Sequence, residues 1–167
     1  RISVQPIPIK DAIAELDEID HTKNYSMPVI WISYCLSASG FCVMVGGSLY
    51  DGLVAMICVL LARIVCFPMD VYHANSFFIT AVASFIHNTV AFAFAEMFSV
   101  LQVNTIVTGT LMMLFPGVAF MTAIRDVIAR DLNSGMIEML QAVVVACAIA
   151  VGTAMAYGLF PAIVRLI

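Results

Sequence analysis

Charge is what this sequence has least of. Only 11% of its 167 residues are Asp, Glu, Lys or Arg, less than half of the roughly 25% typical of soluble domains. No basic patch or basic run exists, so nothing favours nucleic acid as a partner. The five cysteines, Cys35, Cys42, Cys58, Cys66 and Cys147, include no CxxC pair. That argues against zinc, so no metal and no other cofactor is expected, and the thiols read as small apolar packing residues. The first 27 residues hold no apolar stretch of the kind a secretory signal requires. Arg1 stands where a complete chain would carry Met, so a fragment or a processed chain is expected. The formal charge of −4 reflects crowding of acids before residue 21, at Asp11, Glu15, Asp17, Glu18 and Asp20.

What is present is apolar: 63% of residues are hydrophobic, and the mean hydropathy is +1.05. This composition belongs to membrane proteins. Pro8 suits the first turn of a helix, and Ile9, Ile13, Leu16 and Ile19 recur on one helical face. Residues 1–27 therefore read as a short, cytoplasmic amphipathic connector. A membrane-surface anchor is the weaker reading, because such helices favour Lys and Arg.

Residues 28–165 read as a membrane domain of five spans, each tested against the roughly 20 apolar residues needed to cross a bilayer. The first runs from about Met27 to Leu49, with Tyr25 and Trp31 at its start and small residues Ala38, Cys42 and Gly46 four apart. Asp51-Gly52 reads as the turn that follows. The second runs from about Leu53 to Phe67, with Arg63 near its end and Pro68, Asp70 and Asn75 marking a loop. The third covers about Ser76 to Phe98. The fourth covers about Val100 to Ala123 and is broken at Pro116-Gly117. The fifth covers about Met136 to Phe160, after a turn at Asn133-Ser134-Gly135. Along the fifth, Ala142, Ala146, Ala150, Ala154 and Gly158 repeat every four residues, which predicts a buried helix–helix seam. The expected fold is an all-α integral membrane protein of five transmembrane helices, with a discontinuous fourth helix and the short N-terminal amphipathic helix.

A cytoplasmic N-terminus puts Arg1, Lys10, Lys23, Arg63, Arg125 and Arg130 on one side and only Arg165 on the other. The positive-inside rule then gives N-terminus inside and C-terminus outside.

Few residues in such a chain can carry chemistry. Pro116 removes a helical hydrogen bond, and the freed backbone must be buried in protein or line a wet path. Broken helices of this kind present partial charges to substrates in transporters; a plain proline kink is the alternative. Arg125, Asp126, Arg130 and Asp131 follow within seven residues, then Ser134 and Gly135. They read either as a gate contacting the charged ends of an amino acid or as a salt-bridge cluster, with Glu138 within reach, that only fixes topology. His87 and Asn88 fall about midway along the third span, where polar groups are costly. They are candidates for proton coupling, or for a neutral bond across helices. Glu96 and Asp51 are coupling candidates at the outer side, Asp51 beside a vestibule. Ser37-Ala38-Ser39-Gly40 departs from the GxSG motif of intramembrane proteases at its first residue, and no acid neighbours His87 in sequence, so no enzyme is expected.

Two blocks resemble the threonine/serine exporter family. One is Leu36-Ser37-Ala38-Ser39-Gly40-Phe41 leading to Gly46-Gly47-Ser48 and Asp51-Gly52. The other is Leu114-Phe115-Pro116-Gly117, Ala123-Ile124-Arg125-Asp126, Asp131, Ser134-Gly135 and the small-residue helix after them. The likeness covers about residues 10–160. It implies secondary, proton-driven export of threonine and serine across a bacterial inner membrane. It also implies a soluble region upstream, and a partner in the form of a second five-span protein or a homo-oligomer alongside membrane lipid. Small dicarboxylates are the alternative cargo, and a non-transporting membrane scaffold the alternative role. Ala129-Arg130 departs from the family pattern, which often has a small residue such as Gly there.

Overall fold

The computed structural model describes residues 26–164, with side chains through Phe160. The amphipathic connector of residues 1–27 lies, up to residue 25, outside the described residues, as does Arg165. Six helices follow in order: α1 (Met27–Met44), α2 (Leu49–Val71), α3 (Ser76–Met97), α4 (Val103–Leu114), α5 (Gly117–Ile128) and α6 (Leu132–Val164). No strand occurs among the described residues. The chain divides into two units at Ile30–Trp31. In the first, the described residues form only the opening turn of α1, where the Ser26 carbonyl accepts from Val29 N at 3.0 Å. The second unit carries the rest.

Four of the helices, α1, α2, α3 and α6, are long and apolar enough to cross a membrane. α4 and α5 qualify together as a fifth span bent by 49°. This is the discontinuous fourth span expected from Pro116-Gly117. Within the second unit α3 packs against α2, α4 and, most extensively, α6, while α5 packs on α6.

Three of the helix ends are closed by one device, in which two backbone N–H groups reach back to orphan carbonyls through a residue in the left-handed conformation. After α1 that residue is Gly46 at φ 99°, after α2 it is His73 at 53°, and after α5 it is Arg130 at 70°. In the last case Asp131 N donates to Asp126 O at 2.9 Å and Arg130 N to Val127 O at 3.1 Å. Position 130 thus takes a backbone conformation that favours Gly.

Several expected boundaries shift. Asp51-Gly52 is not a turn: Ser48 caps α2, and Asp51 sits in its first turn, each bonding the other's backbone N–H. Aspartate three residues after a serine cap favours helix over turn. The turn lies before it, where Gly47 N donates to Cys42 O at 3.0 Å. Pro68 does not end the second span but lies inside α2, which continues to Val71. Arg63 helps there, pairing with Asp70 at 3.4 Å and lying 4.8 Å over the Tyr34 ring. Asn133-Ser134-Gly135 is likewise the first turn of α6 rather than a loop, because Asp131 caps it by accepting from Ser134 N at 3.2 Å.

The seam on α6 is corrected as well. Ala142 is buried, but Ala150, Ala154 and Gly158 are exposed. The buried face instead runs through Gly135, Ala142, Ala148, Gly152 and Ala156. At Gly152 an added Cβ would meet Ser84 Cβ at 2.9 Å and Phe85 N at 3.0 Å, with the Ala81 carbonyl nearer still. Gly109 plays the same part for α4 against α1, where a Cβ would lie 2.6 Å from Cys42 Cα. Ala38 and Cys42 are fully buried as their spacing predicted, whereas Gly46 has left the helix.

Candidate functional site

The Pro116-Gly117 break and the charge knot occupy the two ends of α5. At the break Pro116 cannot donate to the Met112 carbonyl. Gly117 N turns instead to Phe115 O at 2.8 Å, and the Phe115 and Phe120 rings stack across the elbow with centroids 5.4 Å apart. Two turns later the α5–α6 hairpin brings Asp126, Asp131, Ser134 and Gly135 together. Ser134 Oγ donates to Asp126 Oδ2 at 2.9 Å, while its backbone N–H is capped by Asp131. Gly135 lets the helices touch: a Cβ there would lie 2.8 Å from the Ala123 carbonyl. Arg125 and Arg130 point to the exposed side and pair with neither aspartate. Among the described residues the ion pair is Arg63–Asp70, so the hairpin is a carboxylate–hydroxyl cluster rather than a salt-bridge knot. One turn beyond Ser134, Glu138 Oε2 is buried without a hydrogen-bond partner among the described residues.

His87 and Asn88 sit deep in the bundle, 1% and 0% exposed. Asn88 Nδ2 donates to the Ser84 carbonyl at 2.8 Å and to Thr153 Oγ1 at 3.2 Å. Ser84 Oγ donates to Ile149 O at 2.9 Å and lies 3.0 Å from Thr153 Oγ1. The bond across helices therefore belongs to Asn88. His87 Nδ1 has no partner among the described residues.

The two remaining coupling candidates, Asp51 and Glu96, separate. Asp51 is fully buried. Its Oδ2 accepts from Ser48 N at 2.7 Å and Ser48 Oγ at 2.8 Å, and its Oδ1 accepts from Gln102 N at 2.9 Å. It thereby ties the α1–α2 turn to the start of α4. Glu96 is exposed and lines a cavity of about 370 Å³ with Phe92, Tyr157 and Phe160.

Sequence reading passed over Ser84, Gly109, Thr110, Gly152 and Thr153. Ser84 carried a readable signal, one turn before Asn88 on the same face. Thr153 carried none, because only the α3–α6 crossing brings it to Ser84.

The fold and these polar groups define a multi-pass, all-helical membrane protein with one broken span, immersed in lipid. A comparison with curated proteins and one with solved structures each return no match. The family model described as "Putative threonine/serine exporter" matches residues 1–160. The chain belongs to the threonine/serine exporter family.

Proposed function

We propose that this chain is one half of a secondary transporter that exports small polar amino acids such as threonine and serine across a bacterial inner membrane, driven by protons. Residues 28–165 would form the membrane domain and residues 1–27 a cytoplasmic connector, with the N-terminus inside and the C-terminus outside. A second five-span protein, or a second copy of this chain, would complete the path.

The observation that carries this reading is the broken span. The 49° elbow between α4 and α5 frees backbone polar groups within a helix pair otherwise apolar enough to cross a membrane, an arrangement tolerated only where protein or water surrounds it. α5 then ends in the Asp126–Ser134 contact, where a carboxylate can balance a substrate ammonium. In this reading Pro116, Gly117, Asp126, Asp131, Ser134 and Gly135 form the gating region. Arg125 and Arg130 supply the cationic side of its mouth, and His87 carries the coupling proton. The test is efflux of preloaded L-threonine and L-serine from cells lacking their own exporters. Expression of the chain, with a five-span partner where one is encoded beside it, is expected to speed efflux, and a proton uncoupler to abolish the gain. No gain in either arrangement contradicts the reading.

A further inference from the structure

Two cavities lie side by side at the C-terminal end of α3. The smaller, of about 370 Å³, is lined by Phe92 and Glu96 of α3 and by Tyr157 and Phe160 of α6. The larger, of about 690 Å³, is lined by Leu53 and Val54 of α2, by Phe94 and Met97 of α3 and by Phe98. Ser99 and Leu101, on the connection between α3 and α4, line both, so the two cavities adjoin.

Helical spacing builds the smaller cavity. Phe92 and Glu96 are one turn apart on α3, and Tyr157 and Phe160 one turn apart on α6, so each pair shares a face of its helix. The α3–α6 crossing brings the rings together. Phe92 meets Tyr157 at 74° with centroids 4.7 Å apart, and meets Phe160 at 48° with centroids 5.2 Å apart. Three rings set at steep angles make an aromatic corner, and Glu96 adds an exposed carboxylate beside it. No Lys, Arg or His lines either cavity. The other carboxylate at this end, Asp51, is already engaged by Ser48 and by Gln102, the residue after Leu101. Aromatic rings together with a carboxylate are the chemistry that holds an organic ammonium.

The larger cavity decides what carries that ammonium. Its walls are hydrocarbon and aromatic apart from Ser99 and the Tyr50 hydroxyl, which suits an acyl chain. Glu96 is the last residue but one of α3, a helix long and apolar enough to cross a membrane, so the carboxylate falls at the depth of lipid headgroups. We infer that Glu96 and the rings of Phe92, Tyr157 and Phe160 bind the ammonium headgroup of an ethanolamine phospholipid, whose acyl chain lies in the adjoining apolar cavity. A free amino acid fits less well. Its carboxylate and its ammonium share one carbon, so the carboxylate would enter beside Glu96 with no cation to receive it. In the phospholipid an ethylene link separates phosphate from ammonium, and the phosphate stays at the exposed rim, where Ser99 offers a hydroxyl. The site is independent of the export reading: it ties α2, α3 and α6 to one class of lipid at this end of the bundle.

The test is native mass spectrometry of the purified chain in detergent, titrated with phosphatidylethanolamine or with phosphatidylglycerol carrying the same acyl chains. The wild type is expected to bind the ethanolamine lipid more tightly. Glu96→Gln keeps the shape and removes the charge, and should weaken that binding about three- to tenfold while leaving phosphatidylglycerol no weaker. Tyr157→Leu, at a second exposed position, removes one ring and should also reduce the preference. Equal affinity of the wild type for the two lipids would overturn the site. So would an ethanolamine preference undiminished in either variant. Displacement of the bound ethanolamine lipid by L-threonine or L-serine would make the cavity a solute site and overturn the lipid assignment.

Discussion

Replacing Gly152 by Ala is expected to destabilise the bundle, although Ala is the better helix former. Propensity alone favours the change by up to about 1 kcal/mol. The new Cβ, however, would lie 2.9 Å from Ser84 Cβ and 3.0 Å from Phe85 N, with the Ala81 carbonyl closer. Two of those neighbours are backbone and cannot rotate away, so α3 and α6 must separate. Overpacking of this kind costs about 1–3 kcal/mol. Separation also stretches the Ser84–Thr153 and Asn88–Thr153 bonds, now 3.0 and 3.2 Å, each contributing about 0.6 kcal/mol in a membrane protein. The net expectation is a loss of about 1–3 kcal/mol. Ala150→Leu, on the exposed face, should be close to neutral. Thermal unfolding of the purified variants in one detergent measures both. Equal Tm values for Gly152→Ala and the wild type, or a larger drop for Ala150→Leu, would refute this packing of α3 on α6.

Arg130→Gly relieves a left-handed backbone at φ 70° and should stabilise the α5–α6 hairpin by about 1 kcal/mol, with Arg130→Val moving Tm the other way. Asp51→Asn turns an oxygen that accepts two bonds from Ser48 into a donor, and should cost about 1–3 kcal/mol in the same unfolding assay. For topology, a membrane-impermeant thiol reagent applied from outside should label a cysteine placed at Tyr50 and miss one at Asn133, both exposed positions. The reverse pattern would invert the proposed orientation.

Long apolar runs made the spans legible, and Pro116-Gly117 made the break legible, because both are properties of consecutive residues. Local capping was harder to read. Asp51-Gly52 and Asn133-Ser134-Gly135 have turn composition, yet in each case an adjacent cap, Ser48 or Asp131, turns them into a first helical turn. The α6 seam was misplaced in register: Ala148, Gly152 and Ala156 are buried at the same four-residue period, two positions away from Ala150 and Ala154, because α3 meets the helix at Gly152. The candidate site was only half visible. Asp126, Asp131 and Ser134 lie close in sequence and meet in the hairpin as a carboxylate–hydroxyl cluster. Thr153 reaches Ser84 across 69 residues, a distance no spacing rule spans.

The central claim, that the break and the hairpin below it form a transport gate, is tested most directly by threonine and serine efflux in Asp126→Asn. This change removes one charge from the Ser134 contact while keeping its shape. Efflux should be abolished in Asp126→Asn and in Pro116→Ala, each tested alone, with membrane levels equal to the wild type by blot. Undiminished efflux in both variants would contradict the account and leave the stretch as a topological anchor.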